Sequence, residues 1–298
     1  MTAIRFVAVS VLYFVCFVVV SGALLSAAAE QPTPAEATAT LAALVAVSLI
    51  NAAVWIYVIR RSRWTGWKLI VTVLIVFYGV NTVMPQIETA YFITRLPPGM
   101  LPRLFLAGII IAVVFAPLAV VILGKAKRRA NETSRDARLH MPLRSWLAKL
   151  SLIVVAYLII YFTFGYFIAW RNEAVRAYYN GTDPQNFITH IASLLRTEPL
   201  LFLLQGARAL LWAAIAVPII KMMHGEWWES GLAVALLFAG MTSLLLLPNP
   251  LMPDEVRMTH LLETATSNFL FGWLVVLILG GTDRARQKLA TQSIPGLY

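Results

Sequence analysis

The sequence predicts an all-α, polytopic membrane protein of about eight transmembrane helices. Three observations carry that expectation: a composition too apolar for a water-soluble domain, apolar runs of spanning length, and a regular alternation of basic loops. Of 298 residues, 60% are hydrophobic and 13% charged, with a mean hydropathy of +0.77, whereas soluble domains are roughly half apolar and about a quarter charged. In hydrocarbon every backbone N–H and C=O must be paired internally, which leaves helices or a closed barrel. The runs show no period-two alternation and reach about twenty residues, so they read as helices.

The spans read as Phe6 to Ala27, Ala39 to Val58, Leu69 to Phe92 with a kink at Pro85, Met100 to Leu123, Leu150 to Trp170, Leu200 to Ile220, Leu232 to Leu247 and Thr259 to Leu279. At about 1.5 Å per residue, these lengths match roughly 30 Å of hydrocarbon. The first span has a second reading. Arg5, an apolar stretch and Ser26-Ala27-Ala28-Ala29 before Glu30 also fit a signal peptide with its cleavage site, which would leave seven spans. The apolar stretch is longer than a signal core and favours a retained helix.

Seventeen of the 24 Lys and Arg residues fall on one side of this arrangement, six on the other, and Arg208 falls inside a span. The positive-inside rule then puts both termini and the basic linker 125–149 in the cytoplasm. Trp64, Trp67, Trp146, Trp227 and Trp228 belong to that interface and Trp170, Tyr178 and Tyr179 to the opposite one. The same rule accounts for the net charge of +10, so no nucleic-acid partner is expected. The single cysteine, Cys16, lies in an apolar run and excludes intrachain disulfides and thiolate metal clusters. The compact loops suggest a bacterial inner membrane.

The linker divides the chain into residues 1–124 and 150–298, four spans each. Asn51 and Trp55 match Arg208 and Trp212, Phe77 and Gly79 match Phe238 and Gly240, and Phe115 and Gly124 match Phe271 and Gly280, all in the same order. These matches read as two parallel four-helix repeats related about the membrane normal; chance similarity between apolar helices is the competing reading. The loop 171–198 is expected to carry an amphipathic helix capped by Asp183 with Pro184 first, its apolar face formed by Phe187, Ile188, Ile191, Leu194 and Leu195. It would lie in the interface or fold over the bundle as a lid. Tyr178-Tyr179-Asn180-Gly181 leads into a turn before it.

Ionisable groups within spans are costly and therefore face protein or water. Arg208, Glu263 and Glu88 are such groups, all toward the side opposite the basic linker. Arg208 is expected to pair with Glu263, since a carboxylate accepts the fork of a long-stemmed guanidinium in bidentate fashion. His260, Glu263, Thr264 and Ser267, with Asn268 alongside, form a polar stripe at helical spacing. Asn81, Pro85 and Glu88 form a weaker stripe in the third span, and Gln205 shares a face with Arg208. The binding residues expected are thus Arg208, Glu263, Glu88, His260, Asn81, Ser267 and Asn268. His260 and Glu263 also have the i, i+3 spacing of a metal-ligand pair, but further ligands are lacking and no metal site is expected. No nucleotide, zinc-hydrolase or nucleophile-elbow motif occurs, and no cofactor is specified. The expected function is a transporter-like or ligand-binding bundle taking a lipid or a small anionic ligand. The alternatives are an intramembrane enzyme acting on a lipid or lipid-linked substrate, and a non-catalytic scaffold.

Overall fold

A computed structural model describes residues 2–25, 33–93, 96–127, 138–182, 185–249 and 251–292, with side chains in the last helix described to residue 280. Eight helices are long and apolar enough to cross a membrane: α1 (Thr2–Leu25), α2 (Pro34–Arg60), α3 (Gly66–Phe92), α4 (Met100–Ile122), α5 (Leu143–Ala169), α8 (Pro199–Met222), α9 (Trp227–Leu246) and α10 (Asp254–Gln292). Two short helices, α6 (Glu173–Tyr178) and α7 (Phe187–Thr197), occupy the connection between α5 and α8. The chain is an all-α polytopic membrane protein.

Each expected span matches one of these helices; Leu123, Trp170 and Leu247 fall one residue past their helices, Ser26 and Ala27 lie outside the described residues, and several helices extend beyond the apolar run. Helical hydrogen bonding does not stop at the edge of hydrocarbon, and the flanking residues of α10 (Arg, Gln, Lys, Ala) are strong helix formers, so that helix continues to Gln292. Sequence chemistry fixes other boundaries. Thr33 accepts from the Glu36 amide while its own amide donates to the Glu36 carboxylate at 2.8 Å, closing a capping box at the start of α2. The expected cap of α7 needs correction: Asn186 Oδ1 accepts from the Thr189 amide at 3.0 Å and the helix begins at Phe187. Asp183 and Pro184 lie outside the described residues, as do Ser26 to Glu30 and linker residues 128–137.

Lipid-facing and protein-facing surfaces separate at helical spacing. On α1, Val7, Val11, Val15 and Val18 form an exposed apolar stripe while Val9, Tyr13 and Cys16 are buried. Close approach relies on small residues: a Cβ added to Gly272 on α10 would lie 2.6 Å from Ala235 Cα on α9. Without a strong hydrophobic drive between helices in lipid, such contacts and dispersion hold the bundle together.

Within the first half α1 packs on α2 and α4, and α3 packs on α4; within the second, α5 packs on α8 and α10, and α9 packs on α10. The matched aromatics cluster within each half. Trp55, Phe77, Phe115 and Tyr13 cluster in the first half, with Phe77 and Phe115 centroids 4.8 Å apart. Trp212, Phe238, Phe271 and Tyr157 cluster in the second, with Trp212 and Phe238 at 4.1 Å. Across the halves, Asn51 donates to Ser243 on α9 at 3.0 Å, and Arg208 reaches Glu88 on α3. At the basic end, Ser62 and Met223 form an antiparallel bridge in which the Arg63 amide donates to Met222 O and the His224 amide to Arg61 O, both at 2.7 Å. From these reciprocal contacts we propose that residues 1–124 and 150–298 repeat one four-helix unit about an axis through this bridge.

The bridge makes a direct test. Ser62 and Met223 form a pair not directly hydrogen-bonded to each other, where Cα atoms come within about 4.5 Å, a separation a disulfide accepts. In a Ser62→Cys/Met223→Cys protein lacking Cys16, oxidation of isolated membranes should abolish labelling of both thiols by maleimide. Two thiols that remain reactive would rule out the pairing of the loops.

Candidate functional site

A cavity of about 590 Å³ lies at the end of the bundle opposite the basic loops, among the ends of α3, α5, α8, α9 and α10. Departures from α-helical geometry lie in its walls or just before them. In α3 a π-turn spans Gly79–Val83 just before Pro85, in α5 a second spans Gly165–Ala169, and α9 tightens to 3-10 geometry over Met241–Leu246. Non-α backbone at membrane depth is tolerated where it is enclosed by protein or borders a cavity. The first π-turn accommodates the amide that Pro85 lacks, so the expected kink takes the form of an inserted residue. In the second, the Trp170 amide donates to Gly165 O at 2.7 Å. The inserted residue carries the stripe begun by Tyr157 and Tyr161 on to Tyr166 and Trp170, and all four line the cavity.

The charges pair differently from expectation. Arg208, 3% exposed, is ion-paired through Nη1 with Glu88 on α3 and donates to Gln205 Oε1 at 2.7 Å. Glu263 is instead engaged by His260 one turn earlier on its own helix, Nδ1 to Oε2 at 2.8 Å. The expected Arg208–Glu263 pair is therefore absent. The reason is reach: the long stem of Arg208 extends toward the helix ends, where Glu88 lies near the close of α3, while an i+3 partner on the same helix holds Glu263.

With Glu263 ionised, His260 Nδ1 carries the proton, and Nε2 accepts from the Tyr179 hydroxyl at 3.3 Å. Burial first, then the charges of Tyr178, Glu88 and Glu263, push the Tyr179 phenol above its ordinary range, so it remains a hydroxyl donor. Arg257, buried near the start of α10, donates to Leu245 O and to Asp254 Oδ1. It thereby satisfies a carbonyl within the 3-10 segment.

The roof is α7. Tyr166 donates through its hydroxyl to Gln185 O at 2.5 Å, and His190 packs against the rings of Tyr166 and Trp170 at 5.4 and 5.7 Å. Burial pushes the His190 imidazole below its ordinary range. Ile191 and Leu194 face the cavity, whereas Ile188 is 73% exposed on the other side of the same helix. No residue of α7 is fully buried.

Arg208, Glu88, His260, Glu263, Ser267 and Asn268 all line this one cavity. Asn81 does not; its amide donates back to Phe77 O at 3.2 Å at the level of the π-turn. Sequence reasoning passed over Tyr157, Tyr161, Tyr166 and His190. For the first two a signal existed, since hydroxyl-bearing rings four residues apart within an apolar span mark a face turned from lipid. Among the described residues, no third His, Cys or carboxylate joins His260 and Glu263 to form a metal site. The chain matches no protein family, no curated protein and no solved structure.

The pair Arg208–Glu88 is asymmetric, with side chains 3% and 29% exposed. Removing one partner of a buried pair costs about 3 to 5 kcal/mol because the survivor is left uncompensated. Glu88→Leu, which strands the buried guanidinium, should lower the melting temperature in detergent more than Arg208→Leu, and the double variant should regain much of the loss. Strictly additive losses would show that the two groups do not act as partners.

Proposed function

We propose that this chain is a multi-pass membrane protein that binds an amphipathic, lipid-class ligand in the cavity beneath α7. One observation carries the reading: a polar set, the buried Arg208 and Glu263 with the half-buried Glu88 and His260, lines a single cavity together with Tyr, Phe and Leu side chains. A polar head and an apolar body find complementary surfaces there. Such a volume is superfluous in a scaffold whose charges serve only each other. Toward the basic end, Trp55, Trp212, Phe77, Phe115, Phe238 and Phe271 are all fully buried. This dense packing favours a blind binding site over a continuous path through the bundle.

An enzymatic reading is favoured by one contact. The 2.8 Å hydrogen bond that His260 Nδ1 donates to Glu263 Oε2 is the orienting contact of a general base, and both groups border the cavity. An intramembrane enzyme acting on a lipid or lipid-linked substrate would use His260 Nε2 to accept a proton, with Glu263 stabilising the imidazolium. Incubation with a total lipid extract, followed by mass spectrometry, should then show a product formed by the native protein and not by His260→Gln.

The proposed orientation places the basic end in the cytoplasm of a bacterial inner membrane. A cysteine at position 180 should react with an impermeant maleimide on intact cells, and one at position 135 only after permeabilisation. Equal reactivity at both would overturn this topology. For the ligand itself, native mass spectrometry of the purified protein should reveal a retained lipid-class adduct that Ser267→Phe, which fills the cavity, displaces without a large loss of melting temperature. An adduct insensitive to that substitution would place the ligand elsewhere.

A further inference from the structure

The charges of the cavity do not favour an anion. Glu88, Glu198 and Glu263 border it, against Arg208 and His260 as the residues able to supply positive charge, since His190 is held neutral by burial. Even with His260 protonated, three carboxylates outnumber two cations. Arg208, the group an anion would seek, already has its charge met by Glu88, with Gln205 as a second acceptor on the same Nη1. Glu263 is 93% buried, since 7% of its surface is exposed. It gives only Oε2 to His260, and Oε1 has no hydrogen-bonding partner among the described residues.

Aromatic faces complete the picture. Tyr157, Tyr161, Tyr166, Trp170 and Tyr179 border the same volume. Their π-faces attract cations, ammonium groups included. The Arg208 guanidinium carbon already lies 6.0 Å from the Tyr157 ring centroid. A buried carboxylate with a free oxygen, beside several tyrosine rings and a tryptophan, is a suitable environment for an organic cation. A phosphate or carboxylate head would meet net repulsion, because the acidic side chains of the cavity outnumber its cations.

We propose that the polar end of the ligand is an alkylammonium group, held by Glu263 and the surrounding rings, with its hydrocarbon tail along Phe162, Leu201 and Leu194. This rests on the cavity being a ligand site and adds the chemical class of the ligand. The same chemistry has two sources: a soluble amphipathic amine, or the headgroup of an aminophospholipid.

The test uses the purified full chain in dodecyl maltoside micelles, with dodecyltrimethylammonium, dodecanol and dodecyl phosphate as probes of one tail length and three head charges. Tryptophan fluorescence reports binding. The ammonium probe is expected to bind about tenfold or more tighter than dodecanol, and the phosphate probe more weakly than either. Glu263→Gln and, independently, Tyr161→Leu should erase the preference for ammonium, read as the ratio of ammonium to dodecanol affinity within each variant. Equal or tighter binding of dodecyl phosphate overturns the assignment of charge and leaves the ligand site standing. If none of the three probes binds, the ligand-site reading falls and this inference with it. Displacement of the bound ammonium by phosphatidylethanolamine, and not by phosphatidylglycerol, would identify a membrane lipid as the source. Displacement by neither would identify a soluble amine.

Discussion

Arg208 carries a charge that no protein environment removes, and it is buried within a bundle that offers little water. The surrounding structure answers to that one group. Its partner Glu88 comes from the other half of the chain, so neutralising Arg208 also joins α8 to α3. Gln205, fully buried one turn away, supplies a second acceptor. An ion pair in this setting is no great source of net stability, because taking two ions out of water costs several kcal/mol apiece. It does restrict which arrangements of α3 and α8 are tolerable, since any other leaves a bare charge in hydrocarbon. Its contribution is therefore to register more than to affinity between helices.

The backbone shows the same logic. The second π-turn and the 3-10 segment border one cavity and the first π-turn lies just before its wall at Pro85, while the opposite end is regular and packed with rings. A helix that leaves α geometry exposes or misaligns carbonyls, and in lipid these need partners. Arg257 meets that need at Leu245, and the Trp170 amide meets it at Gly165. Each irregularity shifts the helical phase, which turns side chains that a straight helix would distribute around its circumference into a shared volume. The cavity is therefore a product of backbone register as much as of side-chain choice.

What the sequence revealed and concealed divides along these lines. Span positions follow from hydropathy, a property summed over about twenty residues, and local errors average out. That Arg208, Glu263, His260 and Ser267 face protein follows from the cost of burying polar groups in lipid, which needs no knowledge of neighbours. The partner of Arg208 was different in kind. Glu88 and Glu263 are alike in chemistry and depth, and choosing between them requires the phase of α3 after a π-turn and the rotamer of His260, neither of which leaves a periodic trace. Asn81 misled for the same reason: it shares the helical face of Pro85 and Glu88 only if the helix between them is regular. The tyrosines of α5 were hidden because an aromatic ring counts as apolar in a hydropathy sum while its hydroxyl behaves as a polar group at the cavity wall.

Packing differs enough between the two ends to indicate how a ligand would exchange under the proposed function. At the basic end the inter-half bridge and the Arg61–Glu229 ion pair tie the halves together, and each half is packed about its own cluster of rings. Separating them would open close-packed surfaces and break hydrogen bonds at once. Over the cavity, α7 has no fully buried residue and is secured by its Asn186 cap, ring contacts to Tyr166 and Trp170, and one hydrogen bond just before its start. Local opening follows the segment with the fewest buried contacts, because that segment has the least to lose. Displacing α7 leaves the Arg208–Glu88 pair intact and every spanning helix in place. Its outward face, with Ile188 and Leu195 exposed, can remain in the interface as it moves. The cheapest route into the cavity therefore lies between α7 and the ends of α5 and α8, and it brings a ligand in from the membrane surface with its polar end leading toward Glu263.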